Sequence, residues 1–291
     1  HCTNLTIRNV QVNNEIWAQN GDGIDISASK GVIIYNCTVN AGDDGICMKS
    51  SGNKGPDNFE LENILIANCI VYKAHGGFVI GSNTDGGMRN IFVTNCNYIG
   101  TDIGIRVKSN AGRGGLVKDI YIQDIFMKDI VNEAISYDAY YEDMPAGKTI
   151  DSVRTVVRDK TPIFRDFHIS NIICNGAKTA IAMTGLPEMR VQKIFFENMT
   201  ITADEGVRTN AVADIELKNV RIIPVKGSVY TLNNSSGIHI INGYFPANAD
   251  KFLTAETNVS NVTITGTDLR NSSSAIQLGD KVDKNAVMLN K

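Results

Sequence analysis

Four short segments of this 291-residue chain are dense in groups that move protons or bind anions: Asn20-Gly21-Asp22, Gly42-Asp43-Asp44, His75-Gly76-Gly77 and Arg106-Val107-Lys108. Carboxylates held together can divide the work of an acid that protonates a leaving group and a base that activates water. A histidine beside them can orient or tune the acid, and an arginine with a lysine can hold an anion. This is the inventory for acid–base cleavage of a glycosidic bond in an anionic sugar polymer. Taken singly, each residue could equally be a solvated loop charge or an Asx-turn residue. The case therefore depends on whether the chain gathers them.

A repeat supplies that gathering. A nine-residue pattern, apolar at positions 2, 4 and usually 9, starts at Asn4, Gly31, Asn63, Asn90, Asp119, Asp166, Lys193, Asp214, Gly237 and, more weakly, Asn261. The spacing falls in the range that signals a solenoid. Two-residue apolar alternation rich in β-branched side chains means strands. Position 6 is Asn9, Asn36, Asn68, Asn95, Asp124, Asn171, Asn198, Asn219 and Asn242. An amide at a fixed bend tolerates a left-handed backbone and can hydrogen-bond its stacked neighbours, so the pattern predicts an asparagine ladder along a parallel β-helix.

A second strand follows each nine-mer. Its aligned copies are Gly23–Ser27, Gly45–Lys49, Gly77–Gly81, Gly104–Lys108 and Ala134–Asp138. Alternation sends Ile24, Ile46, Phe78, Ile105 and Ile135 inward, with Ile26, Met48, Ile80, Val107 and Tyr137. Asp25, Cys47, Val79, Arg106 and Ser136 form one outward column; Ser27, Lys49, Gly81, Lys108 and Asp138 form the next. Asp22 and the Asp43/Asp44 pair then lie on adjacent coils, about 4.8 Å apart, with His75 and Arg106/Lys108 on the following two. Lys49, beside Lys108, is a further candidate ligand for a carboxylate. Asp25 and Asp138 share that face and could be structural. Arg113 and Tyr140 are placed on rim loops, and Trp17 is assigned to core or rim packing. Three carboxylates this close repel, so at least one pKa is expected to rise.

The chain is 43% apolar with a net charge of −3. That excludes a generally basic nucleic-acid binder, while an acidic polysaccharide needs only a local cationic patch. The expected partner is a polysaccharide, with no nucleic acid, no membrane insertion and a monomeric state. No linker or charge block divides the sequence, so residues 1–291 read as one elongated all-β domain. Cys37, Cys69 and Cys96 share position 7 and read as buried thiols, not disulfides or metal ligands. The chain opens at His1 directly in a repeat, with no visible signal peptide, so coils or a cap are expected upstream.

The four motifs resemble those of the polygalacturonase family, glycoside hydrolase family 28, whose pattern is Asn-Thr-Asp, Gly- or Gln-Asp-Asp, Gly-His-Gly and Arg-Ile-Lys. Gly21, Ala74 and Val107 depart from it, and none removes a chemically active group. The match is specific over about residues 20–115; beyond that only the repeat continues. The resemblance implies a right-handed parallel β-helix that hydrolyses α-1,4-galacturonosidic linkages with inversion, needs no cofactor or metal, and acts as a secreted or periplasmic enzyme on cell-wall pectin. It implies that Asp43 is the general acid and that Asp22 and Asp44 activate water. His75 would tune the acid, and Arg106 and Lys108 would hold a galacturonate carboxylate. HGGFVIGS (75–82) and GRGG (112–115) look more like bacterial exo-acting members, and the insertion between Tyr137 and Asp166 is a candidate wall for one end of a cleft.

Two other classes stay open at this point. A β-helical pectate lyase would need Ca²⁺ and a basic residue placed for proton abstraction. A non-catalytic polysaccharide-binding rod would give no reason for three carboxylates beside a histidine and two cations.

Overall fold

The computed structural model describes residues 1–52, 58–142, 157, 160–270 and 274–290. Among them every regular element is a strand, and every strand-to-strand pairing is parallel. Each coil continues the same hydrogen-bonded stack, giving a right-handed parallel β-helix. No helix among the described residues is long and apolar enough to cross a membrane.

The register follows the nine-mer. Leu5, Val32, Ile64, Ile91, Ile120, Phe167, Ile194, Ile215, Ile238 and Val262 pair in succession from coil to coil. All but Leu5, which packs against the core from the first coil, are buried. Stacking places like on like in a single apolar column, so each coil covers the surface its neighbour cannot bury alone.

Position 6 turns the chain. Asn9, Asn36, Asn68, Asn95, Asp124, Asn171, Asn198, Asn219 and Asn242 all have φ between 50° and 57°, as expected. The amides link across coils: Asn36 Nδ2 donates to Asn9 Oδ1 at 2.8 Å, Asn95 to Asn68 at 2.8 Å and Asn219 to Asn198 at 2.9 Å. Position 1 is left-handed too, from Asn4 (φ 59°) to Asn261 (φ 53°). The sequence reading did not anticipate this second bend, although Asn, Asp or Gly stands there in every copy except Lys193.

The second strand begins where Asp44–Lys49 pairs with Ile24–Ser27 and with Gly76–Ile80. Ile24, Ile46, Phe78, Ile105 and Ile135 pair in the predicted order and are buried. At Gly45 a Cβ would stand 2.5 Å from Val71 Cγ1 and 2.8 Å from the Gly76 carbonyl oxygen. At Gly77 it would stand 2.3 Å from the Tyr98 ring. Only a residue without a side chain lets successive coils close up directly behind Asp43, Asp44 and His75.

All six cysteines are free thiols, and Cys37, Cys69 and Cys96 are buried in one stack. Trp17 differs from expectation: it is 77% exposed, on the loop before the first motif. Of the insertion proposed as a wall, residues 143–156 and 158–159 lie outside the described residues.

Candidate functional site

The first motif is built on a turn that runs back on itself, with the Gly21 amide donating to the Ala18 carbonyl at 3.0 Å. Asn14 Nδ2 fastens it, donating to the carbonyls of Gly21 and Asp22 at 3.1 and 2.8 Å. The second motif stacks on the first: the Gly42 and Asp43 amides both donate to the Gly21 carbonyl, and the Gly23 amide to that of Asp44. The third stacks on the second, with the His75 amide on the Asp43 carbonyl at 2.8 Å. One backbone ladder thus converts motif order into side-chain proximity.

The result is a cleft of about 410 Å³ lined by Asp22, Asp25, Asp43, Asp44, Lys49 and Lys108 on its floor. Ser82, Asn83, Arg113, Tyr141 and Glu142 stand around its rim. His75 Nδ1 lies 3.3 Å from Asp43 Oδ1, and its Nε2 lies 3.8 Å from Asp102 Oδ2 on the far side.

The cations do not stand free. Lys108 Nζ donates to Asp44 Oδ2 at 2.8 Å, and Arg106 to Asp44 Oδ1 at 3.4 Å. Asp44 is 2% exposed and Lys108 5%. A carboxylate so buried must be paired, and the cations two coils on are within reach. Sequence spacing suggested that Arg106 and Lys108 await a substrate carboxylate; before any substrate arrives, both hold Asp44. Lys49 Nζ likewise donates to Asp22 Oδ2 and Asp25 Oδ2, each at 2.5 Å.

Charge pairing also redirects the expected pKa shift. At Asp22, burial works to raise the carboxyl, but hydrogen bonds from Lys49 and Asp25 and the Lys49 and Lys108 charges outweigh it and lower it. The rise falls on Asp25 instead, driven first by burial and then by Asp22 itself, against the pull of Lys49. The Lys49 ammonium is held above its ordinary value; burial opposes this, and the hydrogen bonds to the Asp22 and Asp25 carboxylates outweigh it.

Other residues fall beside their predicted places. Cys47 and Val79, assigned to an outward column, are fully buried beneath the cleft, and Cys47 Sγ donates to the Gly81 carbonyl at 3.2 Å. Asp138 is half-buried and accepts from the Tyr140 amide at 2.9 Å. That turn buries Tyr140 and presents Tyr141, whose ring lies 4.8 Å from Lys108 Nζ, 5.3 Å from Arg106 Cζ and 5.9 Å from Arg113 Cζ. Such contacts favour the cations where they are. Arg113 lines the cleft, donating to Ser82 Oγ at 2.9 Å and to Glu142 Oε2 at 2.6 Å. Asp102, Ser82 and Glu142 were missed; no repeat position marks them. Among the described residues no group of three or more His, Cys, Asp or Glu side chains is placed to hold a metal ion.

The model of glycosyl hydrolases family 28 matches residues 1–160. An exo-poly-alpha-D-galacturonosidase of Dickeya chrysanthemi is 26% identical over 72% of this chain and 34% of its own length. A polygalacturonase of Ralstonia solanacearum is 30% identical over 86% of this chain and 42% of its own length. The chain spans less than half the length of these curated relatives. The crystal structure of a hyperthermoactive exopolygalacturonase from Thermotoga maritima superposes with a TM-score of 0.65 at 26% identity, covering 76% of this chain and 48% of that one. With the motifs in order, the carboxylates gathered in one cleft and the family model matched over more than half the sequence, this chain belongs to glycosyl hydrolases family 28.

Proposed function

We propose that the protein hydrolyses α-1,4-galacturonosidic linkages of pectic polysaccharide. The observation that carries this reading is the gathering of Asp22, Asp43 and Asp44 with Lys49, Lys108 and Arg113 around one cleft. Asp43, with His75 at 3.3 Å, is the acid that protonates the leaving oxygen. Asp22 and Asp44, each ion-paired with a lysine, activate water from the other side of the sugar, giving inversion. Lys108 has one N–H committed to Asp44 and lines the cleft with Arg113, so both offer their remaining donors to a galacturonate carboxylate, and Arg106, which also holds Asp44, is proposed to join them. Exo action is part of the proposal, supported by the printed names of the Dickeya and Thermotoga proteins. A secreted or periplasmic location, where a polymeric substrate is reached, goes with it.

Each of the three carboxylates is already paired with a lysine or histidine of this chain, which speaks against a calcium cage built from them. Incubation with polygalacturonate, following reducing ends and unsaturated-product ultraviolet absorbance together, tests the class. Hydrolysis gives the first signal alone, a lyase gives both, and a binding rod gives neither. Proton NMR of the first-formed product tests stereochemistry: the β-anomer is expected, and α-anomer appearing first removes the three-aspartate assignment.

A further inference from the structure

We infer that Lys49, anchored by Asp25, is a positioning residue that keeps Asp22 ionised and aimed, and so sets the acid limb of the pH–rate profile. This rests on the reading of Asp22 as part of the water-activating pair. It replaces the substrate-binding role that the spacing of Lys49 suggested.

The geometry begins in the register. Asp25 pairs with Cys47 and Ser27 with Lys49, so the root of Lys49 stands beyond both aspartates along the strand. Its side chain must run back over the buried Cys47 to reach them, and its Nζ ends 2.5 Å from one oxygen of each. A lysine that served only a substrate carboxylate would extend into the cleft instead. Two anchors on one ammonium fix its position more firmly than one, and a flexible four-carbon stem needs such fixing if the charge is to act at a constant distance. Asp25, set three residues after Asp22, supplies the second anchor from the same strand.

The groups that face Asp22 are Asp25 from its own coil, Asp43, Asp44 and Lys49 from the next, and Lys108 from two coils beyond that. Arg113 and Glu142 stand across the cleft. Burial pushes its carboxyl toward the protonated form, and the Lys49 and Asp25 hydrogen bonds with the Lys49 and Lys108 charges pull the other way. Among the described residues Lys49 is the cation that touches it. Water activation requires the carboxylate, so without Lys49 the active form is lost at higher pH. The lowered carboxyl of Asp22 agrees in sign: a group held below its ordinary value stays charged until the pH falls through that lowered value.

The test compares wild type, Lys49→Met and Lys49→Arg. Circular dichroism and thermal melting establish that each variant is folded. Carbon-13 NMR of carboxyl-labelled aspartate, assigned with Asp22→Asn, reads the Asp22 titration directly, and kcat and KM on polygalacturonate are followed from pH 3 to 8. In Lys49→Met the Asp22 titration and the acid limb of kcat/KM should both move up by about one pH unit or more. At fixed acidic pH, kcat should fall while KM changes less than about twofold. Lys49→Arg, which keeps the charge, should restore most of both shifts. An unmoved Asp22 titration in Lys49→Met overturns the inference outright. A moved titration with an unmoved acid limb also overturns it, and locates the failure in the role given to Asp22. A large rise in KM with kcat intact would return Lys49 to substrate binding.

Discussion

Two columns of the same β-helix are built on opposite rules. On one face Ile33, Leu65, Phe92, Tyr121, His168 and Phe195 pair coil to coil. The rings from Phe92 to Phe195 stack at 4.9, 5.0 and 4.7 Å with interplanar angles of 8°, 6° and 10°. On the cleft face no side chain repeats: Asp25 is followed by Cys47, Val79, Arg106 and Ser136. The coil spacing explains the contrast. Neutral flat rings about 4.8 Å apart attract, and asparagines at that distance exchange hydrogen bonds. Like charges at the same distance repel by about 1 kcal/mol in water and by several times that where burial lowers the dielectric. A charged column must therefore alternate sign or be interrupted, and each position acquires an individual role.

The largest effect that would sharpen the contrast is catalytic. Asp43→Asn should lower kcat on polygalacturonate by roughly 10²–10⁴-fold, with the melting temperature almost unchanged, since the change is nearly isosteric. A near wild-type rate would remove Asp43 from the acid role.

Next comes Lys108→Met, which leaves the buried Asp44 carboxylate with Arg106 alone. Stripping one partner from a buried pair should cost about 3 kcal/mol in urea unfolding. Where the variant folds, KM should rise more for polygalacturonate than for its methyl-esterified form. If Lys108→Met costs no more than a change in the neutral columns, the two faces do not differ in the way proposed.

The asparagine ladder should respond more gently. Asn198 accepts from Asn219 at 2.9 Å and holds φ at 54°. Asn198→Ala loses the amide and forces a Cβ-bearing residue into a left-handed bend, for a cost of about 2 kcal/mol. Asn198→Gly should cost about half that, because glycine takes the conformation freely, as Gly266 does at φ 62° in the last copy. Equal costs would mean that the amide bond alone matters at the bend.

The smallest effect is expected at the aromatic column. Tyr121→Ser should lower stability by about 1 kcal/mol and leave kcat and KM unchanged. A loss of activity there would break the separation between the neutral face and the cleft.

What the sequence by itself determined is the stack. Once the nine-mers are aligned, the parallel pairing of each coil on the last turns sequence phase into space. Ile24, Ile46, Phe78, Ile105 and Ile135 fall in one buried column, Asn9 to Asn242 fall at one bend, and Asp22, Asp43 and Asp44 arrive at one cleft with His75 against Asp43. Periodicity fixes Cα positions and the face each Cβ leaves from. What only the tertiary structure decided is where long side chains end and how deep a position lies. Lys108 and Arg106 turn to Asp44, Lys49 doubles back to Asp22 and Asp25, and Tyr141 takes the place expected of Tyr140. Those outcomes depend on which neighbours from other coils and rim loops cover a charge, because a buried carboxylate must find a cation and a flexible lysine can reach in more than one direction.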